Sequence, residues 1–250
     1  MSRANATDWP TVTISEHAGV RYLHLDTPWV QGAMRLAKPD AVELEYVRRM
    51  LASLLWRPVD EMGTGRAVQL GLGAAAITRF THGQLGLDTT AIELNPGVMR
   101  ACRMWFRLPP DGPRLRVLCE DAGHWIARKE QASRIDLLHV DLYDHEAAAP
   151  VLDSEAFYAH CHSALAPGGV MAVNLFGRLS SFERSAQRIM QAFGRGQTWR
   201  VQPTREGNTV VVATRGVTVP DRETLLARAR WIEERLGLPA TKWLRMIRPL

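Results

Sequence analysis

From about residue 66 onward, short apolar runs alternate with segments of helical period, and this alternation constrains the fold more than any other feature. Strand-like runs lie at 67–72, 89–94, 114–119, 135–140 and 170–175. Segments with apolar residues at three- and four-residue steps follow them, at 74–82, 96–106, 123–129, 154–165 and 180–193. Strands that alternate with helices form a parallel sheet with helices on both faces. The sequence therefore predicts an α/β fold built on a mostly parallel sheet.

The N-terminal region has a different pattern. Apolar and polar residues alternate at 11–15 and 20–25, and His17-Ala18-Gly19 is a turn signal between these two runs. Residues 29–34 are a candidate third strand. Residues 40–56 have helical period, with Pro39-Asp40 before them and Pro58 after them. We predict a small N-terminal β-segment, residues 1–38, and a helix at 40–56.

The C-terminal region predicts how the sheet ends. Runs at 199–202 and 208–214, joined by a short turn, favour an antiparallel strand pair, and 221–236 favours a closing helix. Five strand–helix units followed by such a pair are typical of a methyltransferase-type Rossmann-like domain, which we assign to residues 39–250. Ligands of open sheets bind at the carboxyl ends of the strands.

Composition narrows the class of protein. The chain has 250 residues and a net charge of +5, from 31 Lys and Arg against 26 Asp and Glu. Almost all of this positive charge is Arg scattered along the chain, which argues against nucleic acid as a partner. No apolar run reaches the ~18 residues of a membrane span. Three separated cysteines and the absence of an apolar leader predict a cytoplasmic protein with reduced thiols.

The one candidate metal motif, His160-Cys161-His162, lies within a predicted helix. Residues two apart on a helix do not face each other, so this spacing favours an ordinary helix surface. We predict no metal site.

The first two strands of the predicted sheet end in residues suited to a nucleoside. Gly71 and Gly73 allow a tight turn and close backbone approach to a ligand, although a plain strand–helix turn has the same pattern. Glu93 ends the next strand, about 20 residues further on, where a carboxylate can accept hydrogen bonds from ribose hydroxyls. The alternative is a surface glutamate.

The next two strands end in aspartates. Asp121 can accept a hydrogen bond from an adenine amino group, or it can cap the helix that begins nearby. Asp141 and Asp144, with Tyr143 between them, follow the strongly apolar run at 135–140. Such a pair can attract a cationic amine and accept its proton, and burial would raise the pKa of both carboxyls.

Carboxylates concentrate at these strand ends. They are Glu93, Glu120, Asp121, Asp141, Asp144 and Glu146. A chain of positive net charge is therefore predicted to have an acidic pocket, suited to a cationic sulfonium or amine.

Taken in order, these motifs resemble those of the spermidine synthase (polyamine aminopropyltransferase) family. The matched stretch runs from about Val20 to Gly177. It includes Trp29-Val30-Gln31, Glu45-Tyr46, Gly71-Leu72-Gly73, Ala91-Ile92-Glu93-Leu94-Asn95, Glu120-Asp121-Ala122, Val140-Asp141-Leu142-Tyr143-Asp144, Leu165-Ala166-Pro167-Gly168-Gly169 and Asn174-Leu175-Phe176-Gly177. The set is moderately specific, whereas each piece alone is not.

The resemblance implies transfer of an aminopropyl group from decarboxylated S-adenosylmethionine to a small amine such as putrescine, leaving methylthioadenosine. By that resemblance Gln31 and Glu93 bind the ribose and tail of the nucleoside, and Asp121 meets the adenine. Asp141 matches the acid that positions and deprotonates the attacking amine. Asp144 matches a second acid of the same loop.

The resemblance also implies that Gly71 and Gly73 bind the donor and that Tyr46 and Tyr143 bind the acceptor. Because the N-terminal β-segment is short and could pair across a two-fold axis, we predict a homodimer.

Three departures from the family pattern leave alternatives open. Ala74 replaces an Asp that grips the donor's ammonium group, and Asp144-His145-Glu146 replaces an Asp-Pro sequence. Tyr46-Val47-Arg48-Arg49 replaces a Tyr-His/Gln-Glu motif. These changes bear on amine recognition more than on nucleoside binding, so the acceptor need not be putrescine. The alternatives are an S-adenosylmethionine-dependent methyltransferase and a non-catalytic nucleoside-binding homologue.

Overall fold

The N-terminal residues form a small antiparallel sheet. The computed structural model describes residues 9–142, 152–177 and 179–250. Strand β1 spans Val12–His17, β2 spans Val20–Leu25 and β3 spans Gly32–Arg35, in the order β1-β2-β3. The hairpin between β1 and β2 pairs His17 with Val20, as the turn signal predicts.

A larger sheet forms the centre of the chain. Its strands are β4 Arg66–Leu70, β5 Asp88–Glu93, β6 Leu115–Cys119, β7 Ile135–Val140, β8 Leu165–Phe176, β9 Thr198–Val201, β10 Asn208–Thr214 and β11 Ile247–Pro249. The strand order is β11-β9-β10-β8-β7-β4-β5-β6. Strands β4 to β8 are parallel, and the last three strands pair antiparallel at one edge. The predicted mostly parallel α/β sheet with an antiparallel edge is confirmed.

Helices cover both faces of this sheet. They are α1 Glu45–Met50, α2 Ala76–Arg79, α3 Pro96–Trp105, α4 Ala122–Ile126, α5 Glu155–Ala164, α6 Leu179–Phe193, α7 Arg222–Leu236 and α8 Ala240–Met246. Side chains of Asn95, Asp121, Ser154 and Asp221 accept hydrogen bonds from the first turns of α3, α4, α5 and α7, which satisfies backbone donors that a helix leaves open. No helix within the described ranges is long and apolar enough to cross a membrane.

Consecutive side chains of the central strands enter different cores. Leu137 packs with α1 and the C-terminal helices, whereas Leu138 packs with α4, α5 and α6. Successive strand residues point to opposite faces of a sheet. Both faces of β7 are therefore buried, which explains why its sequence is almost continuously apolar.

The predicted helix at 40–56 is wrong in extent. Helix α1 begins at Glu45, and residues 51–56 continue as a 3-10 helix. The Arg48 guanidinium donates to the carbonyls of Val42 and Glu43, each at 2.6 Å. Those carbonyls are thus satisfied by a side chain, and the segment before Glu45 stays irregular.

Two other boundaries differ from the prediction. Strand β8 begins at Leu165 and includes Pro167, which the sequence places in a turn. The register with β7 shifts between Ile135 and Leu137, opposite the part of β8 that contains Pro167, which cannot donate to the ladder. Helix α8 and strand β11 were not predicted, since both are short and the position of β11 depends on pairing with β9.

The small sheet packs against the turn that follows β4. Leu23 and Met34 share a core with Leu72 and Ala74 of that turn. A Cβ at Gly32 would overlap the backbone and side chain of Ala74. The absence of a side chain at Gly32 thus lets the two sheets meet.

We predict that Gly32→Ala destabilises the protein by about 1–3 kcal/mol, because the added methyl group forces the sheet and the turn apart. Urea unfolding measures the free energy. The matched control is Gly83→Ala, since a Cβ at Gly83 meets nothing within 4 Å. Equal effects of the two substitutions would contradict this packing.

Candidate active site

The carboxyl ends of the parallel strands meet along one wall of a cleft of about 640 Å³. From the outer strand inward, β6 is followed by Asp121, β5 ends in Glu93, β4 is followed by Gly71 and β7 by Asp141. The other wall includes Gln31 and its neighbours between β2 and β3. The structure thus brings together residues that the sequence places far apart.

The turn after β4 has a backbone that only glycine adopts without strain. Gly71 has a φ of +85° and Gly73 a φ of +52°. A Cβ at Gly71 would overlap the carbonyl oxygen of Asp141. The Gly71 N–H donates to Ile92 of β5 at 2.9 Å, and the Asp141 N–H donates to Leu70 at 2.9 Å. Both glycines line the cleft, and their contact with a donor stays a prediction.

Glu93 is held by backbone donors. Its Oε2 accepts from the Leu72 N–H at 2.9 Å, and its Oε1 accepts from the Asn95 N–H at 2.8 Å. Burial raises the pKa of Glu93, and these backbone hydrogen bonds act in the opposite direction. The Leu94 backbone N–H acts on this carboxylate as well, and a carboxylate with about four acceptor positions keeps one for a further donor such as a ribose hydroxyl.

Asp121 has the capping role that its sequence position allows, and its contact with an adenine stays a prediction. Its Oδ1 caps α4 by accepting from the His124 N–H at 2.7 Å, and the residue also lines the cleft. Gln31 lines the same cleft, and its Nε2 is buried without a hydrogen-bond partner in the described part of the chain. A buried amide donor without a partner is costly, and a bound ligand can satisfy it.

Asp141 is the centre of a polar network. Its Oδ2 accepts from the Tyr46 hydroxyl at 3.1 Å and its Oδ1 from the Asn174 amide at 2.9 Å. The Asn208 amide donates to Asn174 at 3.1 Å, and the Asn208 backbone N–H donates to the Thr204 hydroxyl at 3.2 Å. The carboxylate is therefore fixed in orientation by partners from α1, β8 and β10.

Burial raises the pKa of Asp141, while the hydrogen bonds from Asn174 and Tyr46 lower it. The carboxyl is thus a stronger proton acceptor than an exposed aspartate. Tyr143 and Asp144, which the sequence adds to this site, lie outside the described residues.

The cleft is acidic. The carboxylates that line it are Glu43, Glu45, Glu93, Glu120, Asp121, Asp141 and Glu206, and none of its described lining residues is Lys, Arg or His. The predicted acidic pocket is present in a chain of net charge +5. It favours a cationic ligand.

Five residues of this site were not predicted. Glu43 and Glu45 lie beside Tyr46 in the sequence, so the motif itself could have indicated them. Asn174 belongs to a matched motif but was given no role. Asn208 and Glu206 come from the antiparallel edge, where the sequence shows only a strand and a turn.

Two relatives found by comparison with known proteins have the same name, polyamine aminopropyltransferase. The chain is 29% identical over 231 residues to a polyamine aminopropyltransferase of Chromobacterium violaceum, covering 92% of this chain and 86% of the relative. It is 30% identical over 213 residues to a polyamine aminopropyltransferase of Neisseria meningitidis serogroup A, covering 84% and 78%. No protein-family model matches the chain.

Solved structures share the fold. A probable spermidine synthase from Corynebacterium glutamicum superposes with a TM-score of 0.75 at 22% identity, covering 93% of this chain and 86% of that one. Human methyltransferase-like protein 13, solved with SAH, superposes with a TM-score of 0.68 at 20% identity, covering 78% and 93%. At these identities the likeness concerns the fold alone.

We predict that Asp141→Asn stabilises the folded protein at neutral pH. The folded-state pKa of Asp141 is raised, so the ionised carboxylate is disfavoured in the folded chain. The gain is therefore full above the folded-state pKa, falls as the pH drops, and vanishes below the unfolded-state value of about 3.9.

Unfolding by urea at several pH values measures this difference. Asparagine keeps an acceptor for Asn174 and a polar group for Tyr46, so it preserves the network. A variant less stable than the wild type at neutral pH would contradict the direction of the shift.

Proposed function

Because this chain belongs to the polyamine aminopropyltransferase family, we propose that it transfers an aminopropyl group from decarboxylated S-adenosylmethionine to a small amine acceptor. The observation that carries the proposal is Asp141, fixed by Tyr46 and Asn174 in an acidic cleft. The same cleft contains Glu93 and Gln31, which suit the ribose and tail of the donor. Asp121 suits the adenine.

The reaction is a displacement at carbon. The lone pair of a neutral acceptor amine attacks the aminopropyl carbon bonded to the sulfonium sulfur. The new C–N bond forms as the C–S bond breaks, and the bonding electrons go to sulfur, leaving neutral methylthioadenosine. The proton that the nitrogen loses passes to the Asp141 carboxylate. Since the sulfonium is already a good leaving group, the protein mainly positions the amine and accepts its proton.

The hydrogen bonds of Asp141 suit this role. Tyr46 and Asn174 each use one carboxylate oxygen, and each oxygen keeps a lone pair for an incoming N–H. The raised pKa of Asp141 brings its proton affinity closer to that of an amine.

The charge of the cleft favours the decarboxylated donor. A donor carboxylate would meet several acidic side chains and no basic side chain among the described lining residues. Loss of that carboxylate leaves a donor with two positive charges, on sulfur and on the terminal amine. Such a donor suits the acidic lining.

Methyl transfer from S-adenosylmethionine is the second candidate, and Ala74 favours it. This residue is 3% exposed and packs against Gly32, so position 74 supplies no carboxylate for the donor's ammonium group. The fold likeness to a methyltransferase is compatible with this reaction. A non-catalytic homologue is the third alternative, and measured turnover would exclude it.

We also propose a homodimer in the cytoplasm. Strand β1 is an edge of the small sheet, and an exposed edge strand can pair with a second copy. Cys102, Cys119 and Cys161 are free thiols, which suits a reducing compartment.

Asp141→Asn is expected to lower kcat for methylthioadenosine release by about 10²–10⁴-fold, because the variant cannot accept the amine's proton. Chromatography of reactions with decarboxylated S-adenosylmethionine and a panel of diamines measures the product. Glu130→Gln, an exposed residue outside the cleft, is the control and keeps wild-type turnover. Absence of methylthioadenosine from wild-type reactions with every diamine would refute the proposal.

Calorimetry with both donors separates the two candidate reactions. We expect the wild-type protein to bind decarboxylated S-adenosylmethionine at least about tenfold more tightly than S-adenosylmethionine, since the carboxylate finds no cationic partner. Methylthioadenosine, which lacks both charges, serves as the neutral reference. Tighter binding of the carboxylated donor would favour methyl transfer instead.

A further inference from the structure

Glu206 differs from the other unassigned carboxylates of the cleft. Glu43 forms an ion pair with Arg35 at 2.6 Å, and Glu45 and Glu120 pair with Arg49 and Arg128. Glu206 lines the same cleft and forms no ion pair with any residue in the described ranges. Its exposed carboxylate interacts with its own backbone N–H and the Thr204 side chain, lies in the field of Arg49 and Arg205, and keeps acceptor positions that a ligand can use.

The position of Glu206 relative to Asp141 is set by the sheet. Glu206 lies in the turn before β10, two residues from Asn208. Asn208 donates to Asn174 of β8, and Asn174 donates to Asp141 after β7. Strands β10 and β7 are separated by one strand, a distance of about 10 Å. The turn that contains Glu206 is thus connected to Asp141 by a hydrogen-bonded path through Asn208 and Asn174.

Two aromatic rings that contact each other line this cleft. Trp29 and Phe176 both line it, with ring centroids 6.3 Å apart in an edge-to-face arrangement. A Cβ at Gly207 would lie 3.4 Å from the Phe176 ring, so this ring reaches the turn that contains Glu206. Trp29 is 54% exposed. An exposed indole beside an apolar wall is suited to cover a short methylene chain.

From this arrangement we infer that Glu206 binds the distal ammonium of a diamine acceptor whose attacking amine lies at Asp141. The methylene chain between the two nitrogens lies against Trp29 and Phe176. The inference rests on the proposed function, since it places the acceptor in the same cleft, and it makes Glu206 a specificity-determining residue of this chain.

Arg49 and the turn itself keep Glu206 in place and ionised. Arg49 is buried and forms an ion pair with Glu45. It also donates to the carbonyl of Gln202, which follows β9 and precedes the turn that contains Glu206. The Glu206 backbone N–H, the Thr204 side chain and the nearby arginine charges lower the pKa of Glu206. The carboxylate is therefore charged at neutral pH, where the acceptor's distal amine is also protonated.

Calorimetric titration with 1,4-diaminobutane and with butylamine tests the inference, using the full chain saturated with methylthioadenosine. We expect Glu206→Gln to raise the Kd of the diamine about fivefold, because the substitution removes one exposed charge pair between protein and ligand. The Kd of butylamine, which has no distal amine, should stay unchanged. Glu130→Gln, the same charge change outside the cleft, should leave both values unchanged.

Two results would overturn the inference. One is an unchanged diamine Kd in Glu206→Gln, and the other is an equal loss for the diamine and for butylamine. The binding measurement needs no turnover, so the inference and the proposed function fail separately. Suppose that Glu206→Gln selectively weakens diamine binding while the wild-type protein releases no methylthioadenosine. That result would support the binding of the distal ammonium by Glu206 and would refute the proposed transfer reaction.

Discussion

The site depends on the close approach of two backbones at the carboxyl edge of the sheet. Strands β4 and β7 are parallel neighbours, and the Asp141 carbonyl lies where a Cβ of residue 71 would be. Only glycine allows this approach, because any side chain at Gly71 would push the turn away from β7. The turn proposed to bind the donor and the carboxylate proposed to accept the proton are therefore fixed relative to each other by the backbone.

Near this contact, the burial of two carboxyl groups makes their ionisation less favourable in the folded protein. Asp141 and Glu93 are partly buried, and burial raises the pKa of each. Hydrogen bonds from Tyr46 and Asn174, and from the backbone beside Glu93, offset part of that cost. The remaining cost is what gives Asp141 its affinity for a proton. Stability and function thus place opposite demands on the same carboxyl group.

Much of the site on the parallel strands could be predicted from the sequence. Glu93, Asp121 and Asp141 directly follow apolar runs, and the ends of parallel strands meet at one edge. Asn208 and Glu206 could not be found in this way, because they enter the cleft from the antiparallel edge. The turn between 199–202 and 208–214 predicts that β10 pairs with β9, but its pairing with β8 is decided by packing of the whole sheet, and nothing local in the sequence records it.

The sequence by itself determined the alternation of strands and helices, the glycines of the turn and the acids that end the strands, because these depend on local periodicity and residue type. The tertiary structure decided the irregular start of α1, where Arg48 satisfies the carbonyls before it. It also decided that Tyr46, Asn174 and Asn208 converge on Asp141. Long-range hydrogen bonds between elements far apart in the chain set that convergence, and local sequence carries no signal of such pairing.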